Sequence, residues 1–242
     1  MPSVRGPSAS TPAPTTDPTF LGSPLFILNL KSYSPALGPG AERLGVLLQA
    51  SGHAAGVAVA IAPATTDLRH LADTLSIPVL AQHVDPVDAG ARTGHTVPEA
   101  LQASGARGSL VNHSERPLAR EAVFEAVRRL AEIGLTAVVC ARDAGDAGRL
   151  ARSQPPYLAV EPPELIGGRR SVTSARPEVV SESVAAVRRV APGTRVLCGA
   201  GVHDRRDVAK AIELGSEGIL VASAVAASGN PGAVIEELLA GF

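Results

Sequence analysis

The sequence predicts one closed (β/α)8 barrel of the α/β class, and three observations carry that prediction. Eight short apolar runs recur between residues 25 and 222. Each run is continuous instead of alternating, as expected of parallel strands that are covered on both faces. Segments with apolar residues three and four apart lie between them, the mark of amphipathic helices. Strand and helix thus alternate over about 220 residues, a size at which a barrel of this kind closes. An open, doubly wound sheet would share the alternation, because periodicity does not report closure. Against it, the first run leads into LKSYSPALGPG (30–40), which lacks the G-x-G-x-x-G turn of a dinucleotide site.

Residues 1–22 are rich in Pro, Ser, Thr and Ala. They offer too little apolar surface to offset the entropy of ordering, so a disordered tail is expected there, with the barrel domain spanning 23–242. The first strand is LFILNL (25–30), followed by a helix over AERLGVLLQA (41–50). VAVAIA (57–62), PVLAQ (78–82) and GSLVN (108–112) supply the next three strands. REAVFEAVRRLAEIG (120–134) then reads as a helix with apolar positions on one side and charges on the other. LTAVVC (135–140) and YLAVE (157–161) are strands five and six, and PEVVSESVAAVRRV (177–190) is the next helix. RVLCG (195–199) and GILVA (218–222) complete the eight, with helices over DVAKAIELG (207–215) and GAVIEELLAGF (232–242).

Composition narrows the partners. The 22 basic and 23 acidic residues give a net charge of -1 and form no block of one sign, so neither nucleic acid nor a membrane surface is expected to bind. A small molecule or another copy of the chain is. Cys140 and Cys198 lie in or at the end of apolar runs, the usual setting of buried free thiols, which suits a reducing cytoplasm. No apolar stretch nears the roughly 20 residues that span a bilayer, and the N-terminus has no signal-like hydrophobic region.

Barrel enzymes of this kind build their sites from loops at the C-terminal ends of the strands. Chemically capable residues do fall there: Asn29 and Lys31 after the first strand, His113 to Arg116 after the fourth, Glu161 at the end of the sixth, and glycines beside the seventh. The ordered motifs NLK (29–31), NHSERP (112–117), VEPPELIGG (160–168), CGAGV (198–202) and GILVASAV (218–225) resemble the triosephosphate isomerase family. The stretch AQHVDPVDAGARTGHTVPEAL (81–101) is similar to its short archaeal-type branch.

That resemblance implies proton transfer between two carbons of a three-carbon phosphorylated sugar, through an enediol(ate). It gives Glu161 the role of base and His113 that of a neutral electrophile, with the SERP segment expected to start a helix carrying Pro117 in its first turn. Lys31 and Asn29 supply electrostatic support, and Ser114 and Glu115 stand behind them, Glu115 pairing with Lys31. Gly167, Gly199, Gly201, Ala222 and Ser223 are expected around the phosphate. Read without the resemblance, each is bland: a strand-end carboxylate, a core histidine, a solvated lysine, ordinary turn glycines.

Residues 162–170 stand where the family has a lid. Here Gly168-Arg169-Arg170 replaces the usual small hinge, and Ala224 stands where glycine is frequent in the archaeal-type branch. No cofactor or metal is expected; His83, Asp85 and His95 cluster after the third strand but lack a recognised ligand spacing. Thr93 and Gly94 lie in the loop that in the family braces a neighbouring subunit, so a homodimer or homotetramer is expected. Two other readings stay open: an isomerase of another small phosphorylated sugar, such as a tetrulose phosphate, and a non-catalytic barrel that binds a phosphorylated metabolite.

Overall fold

A computed structural model of the chain describes residues 19–162, 173 and 176–242. Its eight strands, all parallel, are β1 Leu25–Asn29, β2 Ala58–Ala62, β3 Leu80–Ala81, β4 Gly108–Val111, β5 Thr136–Ala141, β6 Tyr157–Val160, β7 Arg195–Cys198 and β8 Gly218–Val221. Each overlaps the apolar run that predicted it. The ladder runs β2-β1-β8-β7-β6-β5-β4-β3. A parallel bridge between Ile61 and Val79, with Ile61 N–H donating to the Pro78 carbonyl at 3.0 Å, joins its two ends and closes the cylinder.

The described helices are α1 Pro39–Ala55, α2 Leu68–Thr74, α3 Pro98–Ala103, α4 Arg120–Glu132, α5 Ala144–Leu150, α6 Pro177–Val190, α7 Arg205–Glu213, α8 Ser223–Ala226 and α9 Pro231–Leu239. In α4 the buried positions Val123, Ala126, Val127 and Leu130 follow the three-and-four spacing that the sequence shows. No helix among the described residues is long and apolar enough to cross a membrane.

Strand residues alternate between two cores because successive side chains point to opposite faces. Leu25, Ile27, Leu110, Val138, Tyr157, Ala159 and Leu197 fill the inside of the cylinder. Phe26, Leu28, Val111, Val139, Leu158 and Val160 pack outward against the helices. Asn29, Glu161 and Gly199 continue the inward parity of β1, β6 and β7, which sets them at the C-terminal mouth.

The other end of the cylinder is strapped. Of the segment 1–22 expected to be disordered, residues 1–18 lie outside the described residues, whereas residues 19–22 are packed. The Tyr157 hydroxyl accepts the N–H groups of Leu21 (2.9 Å) and Gly22 (3.1 Å) and donates to the Gly22 carbonyl (2.9 Å). Thr136 donates its hydroxyl to the Thr19 carbonyl at 2.8 Å, and the Arg195 guanidinium lies 4.3 Å from the centre of the Phe20 ring.

One local expectation is corrected. The helix foreseen at SERP starts at Arg120, not around Pro117. Asn112 takes the left-handed conformation (φ 64°), and its side chain bridges the loop, accepting the Leu118 N–H at 2.9 Å and donating to the Cys140 carbonyl at 2.8 Å. A turn closed by Arg116 N–H to the His113 carbonyl (2.8 Å) precedes an extended Ala119. Local side-chain bonds of this kind compete with helix and here defer it.

Candidate active site

A narrow cleft opens at the C-terminal mouth. Lys31, His113, Glu161, Gly199, Gly201, Ala222 and Ser223 all line it, so side chains far apart in the chain meet at one place. Val202, His203 and Ala224 complete much of the wall. Asn29 sits just beneath, 2 % exposed, and accepts the Lys31 N–H on its side-chain oxygen at 3.0 Å. Ser114 faces an adjoining groove with Asn112 and Arg142 instead. Gly167, Gly168, Arg169 and Arg170 lie outside the described residues.

Lys31 is held in a left-handed backbone conformation (φ 48°), one that a side-chain-bearing residue adopts at a cost. Two bonds maintain it. Asn29 grips its N–H, and Gln82 donates to its carbonyl at 2.9 Å while also donating to the Ala62 carbonyl at 3.0 Å. The ammonium is then directed to Glu115, 2.7 Å away on the loop after β4. Glu115 is mostly exposed, so the pair lies at the rim of the cleft.

His113 is buried, and the Glu115 backbone N–H donates to its Nδ1 at 3.2 Å. A nitrogen that accepts must carry a lone pair, so the neutral ring bears its proton on Nε2. Burial lowers the pKa of this histidine, the Lys31 charge lowers it further, and Glu115 opposes them weakly. No helix begins at SERP, so the donor to the ring is a turn N–H, and desolvation leads.

Glu161 is 3 % exposed. Its Oε2 lies 3.6 Å from His113 Nε2, too far for a hydrogen bond, and has no hydrogen-bond partner among the described residues. Burial pushes its pKa up to about 7, against the pull of the Cys140 thiol and the Lys31 charge. Burial also drives the Cys140 thiol well up, with the Glu161 carboxylate adding to it. The backbone beside Glu161 must be bare: a Cβ on Gly199 would fall 2.5 Å from Glu161 Cγ. Gly199 is thus required by the carboxylate, whereas Gly201 supplies a left-handed turn (φ 63°).

The loop after β3 has its own closed arrangement. His83 Nε2 meets Asp85 Oδ1 at 3.0 Å, and Asp85 Oδ2 accepts the Thr96 N–H at 2.7 Å. Burial would raise the Asp85 pKa, but the Thr96 bond and the two histidines outweigh it and hold it low. No three His, Cys, Asp or Glu side chains among the described residues converge as a metal ion would require.

Sequence reasoning missed Gln82, Asn112 and Cys140 as supports of the site. Gln82 carried a signal, a polar residue ending an apolar run. Asn112 stood within the quoted motif, yet its bridging role depends on a conformation that spacing does not reveal.

Residues 24–238 match the family described as triosephosphate isomerase. The chain belongs to the triosephosphate isomerase family. Proteins named triosephosphate isomerase from Methanothermus fervidus and Cenarchaeum symbiosum are 41% identical over 216 residues and 44% identical over 219 residues. Both alignments cover 89% of this chain, and 97% and 96% of those proteins. The protein of that name from Methanosarcina acetivorans is 39% identical over 219 residues, covering 90% of this chain and 99% of its own. Such relatives, mostly archaeal, fit the short branch that residues 81–101 resemble. As a member of this family the chain is an isomerase.

Proposed function

We propose that the chain interconverts dihydroxyacetone phosphate and D-glyceraldehyde 3-phosphate, with Glu161 as the proton-transferring base. The observation that carries this reading is the pairing of a buried carboxylate, its pKa near 7, with a neutral His113 whose Nε2 lies 3.6 Å from it in one cleft. A carboxylate at that pKa is ionised for much of the time near neutrality yet basic enough to take a carbon-bound proton. The relatives' shared name supports the substrate.

In this mechanism the Glu161 carboxylate removes a proton from the hydroxymethyl carbon of dihydroxyacetone phosphate. The C–H electrons form the enediol(ate) double bond, and the carbonyl π pair moves onto oxygen. His113 donates its Nε2–H toward that oxygen, and the Lys31 ammonium stabilises the developing charge. His113 passes its Nε2 proton to that oxygen and takes up the proton of the neighbouring hydroxyl. The O–H electrons then form the aldehyde carbonyl while the double-bond pair takes the proton back from Glu161 at the neighbouring carbon, which returns both side chains to their starting states. The substrate's own carbonyl delocalises the carbanion, so no metal or organic cofactor is invoked. The phosphate would rest against backbone N–H groups around Gly199, Gly201, Ala222 and Ser223, joined by Gly167. We place the enzyme in the cytoplasm as a homodimer or homotetramer, on the strength of its free cysteines and of the loop carrying Thr93 and Gly94.

The test is a coupled assay on the purified chain. Turnover of glyceraldehyde 3-phosphate is expected to exceed that of four-carbon sugar phosphates by at least about 100-fold in kcat/KM. A reversed preference would favour the isomerase of a larger sugar phosphate suggested by Arg169 and Arg170. Binding of these phosphates without turnover would leave only the non-catalytic barrel.

A further inference from the structure

We propose that Asp207 is a positioning residue for phosphate binding, clamping the loop after β7 to Thr173. The inference rests on reading the cleft as the site of a phosphorylated substrate. Asp207 lies in the first turn of α7, and its carboxylate reaches away from the helix on both oxygens. Oδ2 accepts the His203 N–H at 2.9 Å, and Oδ1 accepts the Thr173 hydroxyl at 3.1 Å. Thr173 is buried, and Gly201, Val202 and His203 line the cleft.

The N-cap of α7 is Asp204, whose Oδ1 accepts the N–H groups of both Arg206 (2.8 Å) and Asp207 itself (3.0 Å). The return bond from His203 N–H to Asp207 resembles the second half of a capping box, as Arg142 N–H to Asp146 does at the start of α5, whereas the bond to Thr173 lies outside capping. Asp207 does not suit a ligand role, since a carboxylate repels an anion. Its place is explained by what it holds. The loop is fixed at its start, where Gly199 N–H donates to the Val160 carbonyl at 2.9 Å. It then passes through the left-handed Gly201, a permissive joint. Asp207 fixes the far side of that joint at His203. Backbone donors aimed at an anion bind well only when their direction is set beforehand, and the two anchors set it.

The experiment measures steady-state kinetics with glyceraldehyde 3-phosphate, together with sulfate affinity by competition and calorimetry, for the full chain and its D207A, D207N, T173V, T173S and D207A/T173V variants. D207A is expected to raise KM and weaken sulfate binding about tenfold, the size of a lost hydrogen bond to a charged group, while kcat falls less than about threefold. T173V should shift the same two quantities by a smaller factor, and T173S should restore them. The double variant should be no worse than D207A, because the two side chains form one clamp. KM and sulfate affinity within twofold of the parent in both Asp207 variants would overturn the proposal. So would losses that multiply in the double variant, or a loss in kcat with KM unmoved. Should D207A fail to fold, D207N and T173V decide by the same readings. If the parent does not turn over glyceraldehyde 3-phosphate, the functional reading fails by itself, and sulfate calorimetry still reports on the clamp.

Discussion

Tyr157 opens β6 and Glu161 directly follows its last residue, both on the inward side, and the fold treats them in opposite ways. At the base, the Tyr157 hydroxyl is saturated by three bonds to Leu21 and Gly22. At the mouth, Glu161 keeps one buried oxygen with no hydrogen-bond partner among the described residues. Burial raises the pKa of both groups. The difference is what each end is for. A satisfied polar group adds stability, whereas an unsatisfied buried carboxylate costs it and retains its appetite for a proton.

The largest expected effect lies at the mouth. Glu161→Asp withdraws the carboxylate by one methylene and is expected to lower kcat by roughly 10²–10⁴-fold while KM changes little; an unchanged kcat would remove Glu161 as the base. Next comes the pH dependence of the same group. The folded chain holds a proton up to about pH 7 that an ordinary glutamate loses near 4.5. The folded state therefore binds more protons between these values, and its stability falls as pH rises through them, by up to about 3 kcal/mol. Chemical denaturation from pH 4 to pH 8 should show this decline in the parent and a flatter curve in Glu161→Gln. Over the same range kcat/KM, which reports ionisations of the free enzyme, should rise with ionisation of Glu161 and level off above about pH 7.

A third prediction concerns the bare backbone at the mouth. Gly199→Ala drives a methyl into Glu161 Cγ, and the displaced carboxylate is expected to cost about 10²-fold in kcat. The smallest effect belongs to the base. Tyr157→Phe should remove about 1–3 kcal/mol of stability, measured by denaturation, and leave kcat/KM within about twofold of the parent. A large loss of activity there would mean that the two ends of the cylinder are not independent.

Much of this contrast was readable in the sequence, but unevenly. The strands were legible because burial on both faces forces continuous apolar runs, and the helices because one apolar stripe forces a three-and-four spacing. Glu161, His113 and Lys31 could be placed at one mouth because parallel strands carry all their ends to the same side. The strap of residues 19–22 was hidden, since Phe20 and Leu21 are too few to make a pattern and their partners Tyr157 and Arg195 lie far along the chain. The start of α4 at Arg120 was legible, but the turn that replaces a helix at SERP was hidden for a related reason. Pro117 fits a helix start by composition, and only the bridging of Asn112 to Leu118 and Cys140 defers it. Gly199 was expected to clear a path for an anion; the nearer demand, room for Glu161, depends on a contact between neighbouring strands.

The meeting of β2 and β3 is the thinnest seam in the wall, because β3 spans only Leu80–Ala81 and backbone pairing across that junction rests on the Ile61–Val79 bridge. Gln82 stitches it from above, its one amide shared between the end of β2 and the Lys31 carbonyl. Any breathing that unrolls the cylinder there would tug first on the lysine, so the tightness of the wall and the aim of its one cleft-lining ammonium among the described residues are held by the same thread.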